Sequence, residues 1–199
     1  MMNGETGLVS DPTRTALVVI DLQYWIVGRA PAPHSAPDVV ARASSLAGAL
    51  RKAGGTVVWM HVTPSPDGKD ALQPPADAPV VTPADRPANW ADMVHELDRQ
   101  PEDLVITKRQ WGAFYGTELD LQLRRRGINT IILCGITSNI GVESTARDAF
   151  ERGYHQVFAE DATSARTAEE HEFVMKTVFP RMGLVRSTAE ILRTLGGAS

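Results

Sequence analysis

The sequence predicts an α/β sandwich built around a parallel sheet. Six short β-branched apolar runs are spread along the 199 residues, and such runs are typical of strands buried on both faces. Segments of helical period lie between most of these runs, and none of the runs alternates apolar with polar residues as antiparallel strands do. Repeated strand–helix–strand units of this kind favour a parallel sheet covered by helices.

The predicted strands are Ala16–Ile20, Thr56–Val62, Leu104–Thr107, Thr130–Cys134, Gln156–Ala159 and Gly183–Arg186. An apolar stripe at helical spacing predicts the first helix, which ends at Gly54-Gly55: Val39, Val40, Ala43, Leu46, Ala47, Leu50. Two shorter stripes predict helices that end at Gly127 and Gly153, and the second of them includes Val142, Ala146, Ala149 and Phe150. Capping boxes open the last two helices, at Thr167…Glu170 and Ser187…Glu190.

Composition narrows the function class to a protein that binds a small molecule. Hydrophobic residues are 43% and charged residues 22%, which fits a globular domain and not a disordered tail. The net charge of −4 and the lack of a basic run argue against nucleic acid or anionic membrane as partners. No apolar stretch approaches the ~20 residues of a membrane span, and the first 16 residues do not resemble a secretory signal. We therefore expect a cytoplasmic location.

Residues 64–87 break the strand–helix pattern. They contain seven prolines, which exclude a regular helix or a central strand. Such a long connection is a candidate lid or binding loop, and a solvated excursion or an oligomer contact is an equal alternative. The chain shows no internal repeat, so we expect one domain over residues 1–199.

Two charged residues follow predicted strands. Asp21 comes directly after the first strand and Lys108 directly after the third. Parallel sheets bind ligands at the carboxyl ends of their strands, and buried opposite charges there shift each other's pKa. A structural ion pair and a functional one are equally consistent with these positions.

The segment Gly135–Glu143, GITSNIGVE, leads from the fourth strand into a helix. Backbone N–H groups at a helix start can hold an anion or a developing oxyanion. This segment is therefore a third candidate part of the site, although a glycine-containing turn between strand and helix is common.

Taken together, these segments resemble the isochorismatase-like hydrolase superfamily, which includes nicotinamidases and N-carbamoylsarcosine amidohydrolases. The resemblance runs from about Thr15 to about Leu195 and rests on VVIDLQ, KRQWGAFYGTELDLQL, CGITSNIGVESTARDAFERGY and EDATSA. The chain is most similar to uncharacterised bacterial members that share the QWGAFYGTELDLQLRRRGI block. The resemblance implies a three-layer α/β/α sandwich, Rossmann-like, with about six mostly parallel strands, and a homo-oligomer.

The family's amide-cleaving members use Asp, Lys and Cys, and the first two match Asp21 and Lys108. The position of the nucleophilic Cys, six residues beyond Gly135, is occupied by Gly141. The single cysteine, Cys134, lies in an apolar strand and is interpreted as a core residue. Without a thiolate at the site, the usual covalent route to amide hydrolysis is excluded.

A glycine at this position resembles the true isochorismatases, which hydrolyse a vinyl ether without a protein nucleophile. The resemblance assigns Asp21 the role of proton donor and Lys108 that of orienting it. True isochorismatases carry an aromatic residue and a histidine where this chain has Thr137 and Asn139, which weakens the case for isochorismate itself. Two alternatives stay open: a catalytically silent member that binds a metabolite or serves in an assembly, and an amide hydrolase using Asp21-activated water.

The family also has a non-proline cis peptide before the oxyanion-hole residue, which corresponds here to Ile136–Thr137. The amides of Thr137 and Gly141 would then face the crevice and bind a substrate carboxylate or water. Further substrate-binding candidates, each with core packing or a turn cap as the alternative, are Gln23, Trp25, Trp111, Phe114 and Asn139.

No metal site or other cofactor is expected. The nicotinamidase-type metal site requires Asp and His ligands after the second strand, and that stretch, MHVTPSPDGKDAL, has one histidine and no Asp-x-His. His61 is interpreted as a hydrogen-bonded strand residue. The expected partners are a small-molecule substrate and further copies of the chain.

Overall fold

A computed structural model describes residues 9–79 and 86–196. Its strands are β1 (Thr15–Ile20), β2 (Thr56–Val62), β3 (Leu104–Lys108), β4 (Thr130–Ile136), β5 (His155–Ser164) and β6 (Leu184–Arg186). They form one six-stranded sheet in the order β3-β2-β1-β4-β5-β6, and all five neighbouring pairs are parallel. The predicted fold class and the positions of all six predicted strands are confirmed. The expectation that every strand is buried on both faces is wrong for the edge strands β3 and β6, where Val105 and Leu184 are 48% and 44% exposed.

Helices cover both faces of this sheet. They are α1 (Tyr24–Val27), α2 (Ala36–Lys52), α3 (Leu119–Arg125), α4 (Glu143–Glu151), α5 (Ala168–Phe173) and α6 (Thr188–Gly196). A π-helical turn, Ser138–Val142, leads into α4, and a second one, Val174–Val178, continues α5.

The central strand β1 shows why the sheet carries two cores. It is buried along its whole length, and successive side chains of a strand point to opposite faces. Leu17 and Val19 pack with residues of α2 and α6. Ala16, Val18 and Ile20 pack on the other side with residues of α3 and α4. The continuous apolar run is therefore what a strand between two helical layers requires.

The helix signals in the sequence are largely confirmed. Thr167 and Glu170 form a capping box at the start of α5, and Ser187 and Glu190 exchange the same pair of hydrogen bonds at the start of α6. The stripe assigned to α4 is wrong at one position, since Phe150 is 52% exposed. It is the last apolar residue before Gly153 and lies beyond the edge of the face that packs on the sheet.

Strand β5 is longer than predicted, because residues 160–164, four of them polar, continue it past an irregularity in its register with β4. These residues, EDATS, lack the apolar signal on which the prediction depended. The connection between β2 and β3 contains neither helix nor strand in its described residues, 63–79 and 86–103. Residues 80–85 of the proline-rich excursion lie outside the described residues.

The order of the strands indicates where a ligand crevice is expected. The chain adds β2 and β3 on one side of β1 and then returns to add β4 on the other side. This reversal lies between the carboxyl ends of β1 and β4, where open α/β sheets form their ligand crevice. Asp21 follows β1, and the turn Ser138–Val142 follows β4 after one residue.

Candidate active site

Asp21 leaves β1 in an unusual backbone conformation. Its φ is +53°, in the left-handed region that aspartate enters more readily than most residues and that is enriched at functional sites. Its N–H donates to the Met60 carbonyl of β2 (3.1 Å), and its own carbonyl accepts from the Gln23 N–H (2.8 Å). The carboxyl group is therefore held at a fixed point at the end of the sheet.

Lys108 reaches this carboxyl group from the end of β3. Its Nζ lies 2.7 Å from Asp21 Oδ2 and also donates to the Gln110 carbonyl at 3.1 Å. Both side chains are buried, with 1% and 7% of their surface exposed. The contact expected between Asp21 and Lys108 is present, even though β2 separates their strands.

The two carboxyl oxygens of Asp21 differ in their surroundings. Oδ2 accepts from Lys108, whereas Oδ1 is buried without a hydrogen-bond partner among the described residues. Burial raises the pKa of Asp21 above its ordinary value, and the nearby Lys108 ammonium opposes this shift only in part. A buried carboxyl group of this kind favours the protonated form, and Oδ1 is the oxygen available to carry the proton.

The turn after β4 brings Gly141 against Asp21. The peptide bond Ile136–Thr137 is cis, as predicted, and the Thr137 carbonyl accepts from the N–H groups of Ile140 and Val142 at 3.2 Å. A Cβ atom on Gly141 would lie 3.3 Å from Asp21 Oδ2 and 3.0 Å from Ile20 Cγ2. A side chain at this position would thus point at the acid group. The predicted role of the Thr137 and Gly141 amides concerns a bound group and stays a prediction.

Gly135 allows the two strand ends to lie this close. Its φ is +117°, and a Cβ atom there would lie 2.1 Å from the Ile20 carbonyl oxygen. Since that neighbour is backbone of β1, no side chain fits. The glycine therefore sets the separation between Asp21 and the turn that follows β4.

Thr145 is a positioning residue that the sequence analysis missed. Its buried hydroxyl donates to the Gly141 carbonyl at 2.7 Å and accepts from the Ala113 N–H at 3.1 Å. It thereby ties the turn after β4 to the loop after Lys108. The only signal in the sequence is a threonine four residues beyond Gly141 on a predicted helix.

The Gln23 side chain is hydrogen-bonded to the protein backbone. Its Oε1 accepts from the Val62 N–H at 2.8 Å, and its Nε2 donates to the carbonyls of Val62 and Ala91 at 3.0 and 2.7 Å. It is 1% exposed. The side chain joins the end of β2 to the segment before β3, which matches the turn-capping alternative and not substrate binding.

The remaining predicted binding residues have different surroundings. Asn139 lies in the turn after β4 with a buried Oδ1 that has no partner in the described part of the chain. Trp111 is 52% exposed, and its carbonyl oxygen would lie 3.5 Å from a Cβ on Gly141. Trp25 is half-buried in α1, with the Arg29 guanidinium 4.7 Å from its ring. Phe114 is buried in the core beneath this region and not at its surface.

Cys134 and His61 lie where the sequence analysis expected them. The Cys134 thiol is fully buried, and burial raises its pKa, so a thiolate is strongly disfavoured. His61 is on β2, and its Nε2 is 2.7 Å from the Thr107 hydroxyl of β3. Neither side chain contacts Asp21 or Lys108 among the hydrogen bonds of the described residues.

The proline-rich excursion is anchored beside Lys108. Asp70 accepts from the Arg109 guanidinium at 2.8 Å and from the Ser65 N–H at 2.7 Å. Arg109 also donates to the Thr63 carbonyl. This end of the excursion therefore lies next to the site, and its predicted role as a lid or an oligomer contact stays a prediction.

A second polar cluster consists of His34, Glu160 and His171, whose ligand atoms lie within 4.8 Å of one another. His171 is linked to the turn after β4 through Ser138. None of the three residues was predicted from the sequence, since they are distant from one another and follow no metal-binding spacing.

Within residues 9–79 and 86–196, no helix has both the length and the apolar character needed to cross a bilayer.

Comparison with known proteins agrees with the geometry. Residues 15–190 match the isochorismatase domain family. The isochorismatase family protein YecD of Escherichia coli O157:H7 is 53% identical over 182 residues, covering 91% of this chain and 96% of the relative. A solved structure of an isochorismatase family protein from Burkholderia thailandensis has a TM-score of 0.88 at 44% identity, covering 92% of this chain and 96% of that one. A ureidoacrylate amidohydrolase, RutB of Methylorubrum extorquens, is 32% identical over 194 residues, covering 81% and 78%.

Proposed function

The chain belongs to the isochorismatase family of hydrolases, and we propose that it hydrolyses a small vinyl ether, isochorismate or a related metabolite, without a covalent intermediate. One observation carries this proposal. Asp21 has a buried carboxyl group with one oxygen held by Lys108 and the other unpartnered among the described residues. A protonated acid in that state is suited to general acid catalysis.

The reaction that this acid supports is protonation of carbon. The Asp21 carboxyl proton is transferred to the terminal vinyl carbon, and the double-bond electrons form the new C–H bond. The oxocarbenium ion that results is attacked by water, whose surplus proton returns to Asp21. The hemiketal then collapses into a keto acid and an alcohol. Water is the only reagent consumed, so the protein needs no nucleophile.

Lys108 supports the step in which Asp21 becomes charged. Once the proton has left, the carboxylate is buried and its ionisation is costly. The ammonium group, 2.7 Å from Oδ2, is already in place to stabilise it, so no reorganisation is needed during the reaction.

The residues around position 141 also favour a non-covalent route. Gly141 offers no side chain beside Asp21, and the single thiol, Cys134, is buried in the core. The same turn carries the amides of Thr137 and Gly141 and the Asn139 Oδ1, which has no hydrogen-bond partner among the described residues. We propose that they bind polar groups of the substrate, such as its carboxylate, and that the Trp111 ring covers the substrate.

The experiment is a parallel assay of the two product classes. Purified protein is incubated with isochorismate and related vinyl ethers, where pyruvate is measured, and with small amides, where ammonia is measured. The proposal predicts pyruvate from at least one vinyl ether. Activity in neither assay would favour a silent metabolite-binding member and contradict the proposal.

Amide hydrolysis is the second candidate, because RutB, a relative at 32% identity, is named an amidohydrolase. In this chain the attacking group would have to be water activated by ionised Asp21, since no thiol lies beside it. The raised pKa of Asp21 reduces the ionised fraction. Ammonia release that exceeds pyruvate release in the parallel assay would select this candidate.

Gly141→Cys tests the geometry of the site without knowledge of the substrate. The introduced thiol would lie beside Asp21 Oδ2, the oxygen that Lys108 contacts, in the turn that leads into α4. A nearby cation and a helix start both lower the pKa of a thiol. We expect iodoacetamide to label it at least ten times faster than Cys134, as followed by peptide mass spectrometry. Any native activity should fall, because the sulfur occupies space beside the acid.

The parent protein is the control for this experiment. Its one thiol, Cys134, should react slowly because it is fully buried. Fast labelling of Cys134 that also abolishes activity would contradict its interpretation as a core residue and restore a cysteine-nucleophile mechanism.

We also propose that the protein self-associates and that it is located in the cytoplasm. Trp111 and Tyr115 are 52% and 77% exposed on the loop that follows Lys108. An interface over this loop would remove their apolar surface from water. Light scattering at micromolar concentration should then report a mass above that of one 21.6 kDa chain.

A further inference from the structure

His34, Glu160 and His171 converge from three separate elements. His34 precedes α2, Glu160 lies on β5 and His171 lies on α5. The Nε2 atoms of both histidines approach the same carboxylate oxygen, Glu160 Oε1, at 3.2 and 3.4 Å. The three ligand atoms lie within 4.8 Å of one another.

The two separations from Glu160 Oε1 match those expected around a metal ion. Histidine and carboxylate ligands bind Zn²⁺ at about 2.0–2.2 Å in tetrahedral geometry, which places ligand atoms about 3.3–3.6 Å apart. The two distances to Glu160 Oε1 are within 0.1 Å of this range. Two imidazoles and one carboxylate also form a common ligand set of zinc sites that retain an open fourth position.

The three side chains of the cluster differ in their exposure to solvent. The His171 side chain is 1% exposed, whereas His34 and Glu160 are 23% and 38% exposed. An ion can therefore enter from the His34 and Glu160 side. A water molecule there would supply the fourth ligand.

The surroundings of both histidines hold them in place. The second ring nitrogen of His171, Nδ1, lies 2.8 Å from the buried Ser138 hydroxyl, and metal-bound histidines usually make such a second contact, which fixes the tautomer. The backbone of His34 is held at both its N–H and its carbonyl by the Ser164 hydroxyl, at 3.2 and 2.9 Å. The site is therefore assembled before any ion binds.

We propose that His34, Glu160 and His171 bind a divalent transition metal, with Zn²⁺ the best match to the ligands and their spacing. This site is separate from the Asp21–Lys108 pair and does not depend on the proposed reaction. Metal at Nε2 places the His171 proton on Nδ1, so that Ser138 accepts a hydrogen bond from it. Ser138 begins the turn that carries Gly141, and the ion would thus hold that turn in place.

The test measures metal content directly. Tag-free protein is stripped with a chelator, dialysed against Zn²⁺ and analysed by inductively coupled plasma mass spectrometry, with Co²⁺ spectra as a second readout. We expect one ion per chain, visible d–d bands typical of tetrahedral or five-coordinate cobalt, and a melting temperature that rises with Zn²⁺ until the site is saturated.

Variants separate the ligands from the rest of the chain. His34→Ala and Glu160→Gln, at partly exposed positions, should weaken Zn²⁺ binding at least a hundredfold while the circular dichroism spectrum is retained. Ser138→Ala should weaken it by about 10–100-fold, as loss of a second contact to a ligand does. His155→Ala, which removes an exposed histidine, is the control and should bind like the parent.

Two results would overturn the site. One is less than half an ion per chain in the parent, which would leave the cluster as hydrogen bonds alone. The other is equal affinity in the parent, His34→Ala and Glu160→Gln. Neither depends on enzyme activity, so a failure of the vinyl ether proposal is distinguishable from a failure of this one.

Discussion

Replacing Asp21 with asparagine should lower the rate of hydrolysis by about 10²–10⁴-fold, the contribution typical of a general acid. The amide has nearly the same shape as the carboxyl group and can still accept a hydrogen bond from Lys108. It has no proton that it can transfer to a vinyl carbon. The measurement is product release per folded molecule, at a temperature below the melting transition of the variant.

Asp103 provides a matched control at the other end of β3. Its side chain is 2% exposed and pairs with Arg51 at 2.9 Å, and it also accepts from the Trp59 indole at 2.8 Å. Asp103→Asn should lower stability but leave the rate per folded molecule within about twofold of the parent, because it is far along the strand from Lys108. An equal loss of rate in both variants would contradict a catalytic role for Asp21.

Replacing Lys108 with methionine should have the largest effect on stability. In molecules whose Asp21 is ionised, removal of Lys108 costs up to about 3–5 kcal/mol of unfolding free energy, because the buried carboxylate is left without compensation. Lys108 and Asp21 are both buried, so water cannot replace the lost contact. The free energy of unfolding, measured by urea titration at pH 8, gives the value.

The same variant should show a characteristic dependence on pH. Burial already raises the Asp21 pKa in the parent protein, and loss of the cation raises it further. The folded protein then binds the proton more tightly than the unfolded chain, whose Asp pKa is about 3.9. The stabilisation that protonated Asp21 provides is complete below a pH of about 3.9. It is lost as the pH rises through the pKa of Asp21 in the folded protein. The variant should therefore be destabilised more at pH 8 than at pH 5.

A double variant identifies the cause. Asp21→Asn combined with Lys108→Met removes both charges, and replacement of a whole buried pair is often nearly neutral. It should be more stable at pH 8 than Lys108→Met alone. If the two are equally unstable, the loss comes from packing and not from an uncompensated carboxylate.

Much of the fold was predictable because its signals are local. The β1 residues between Ala16 and Ile20 are apolar without alternation, which only a strand with helices on both faces explains. The start of α5 was predictable for the same reason, since Thr167 and Glu170 cap it through neighbouring backbone groups. Strand β5 was predicted only over Gln156–Ala159, because the residues that continue it to Ser164 are mostly polar and lack an apolar run.

The site residues that could be predicted are the charged residues that directly follow apolar strands. Asp21 and Lys108 follow apolar runs directly, and the sheet brings them to 2.7 Å. Gln23 shows the limit of this reasoning, since a polar residue beside the site was assigned to substrate but binds the backbone. Glu160 and His171 escaped prediction because their contacts join elements whose packing no local pattern specifies.

The most direct test of the account is hydrolysis of isochorismate or a related vinyl ether in D₂O. Protonation of the terminal carbon by Asp21, whose proton exchanges with solvent, predicts pyruvate with one deuterium in its methyl group, formed at a rate that Asp21→Asn reduces at least a hundredfold. Mass spectrometry of the product, with the variant and a protein-free sample in parallel, gives the answer. Pyruvate formed equally fast by the parent and by Asp21→Asn would contradict proton donation by Asp21.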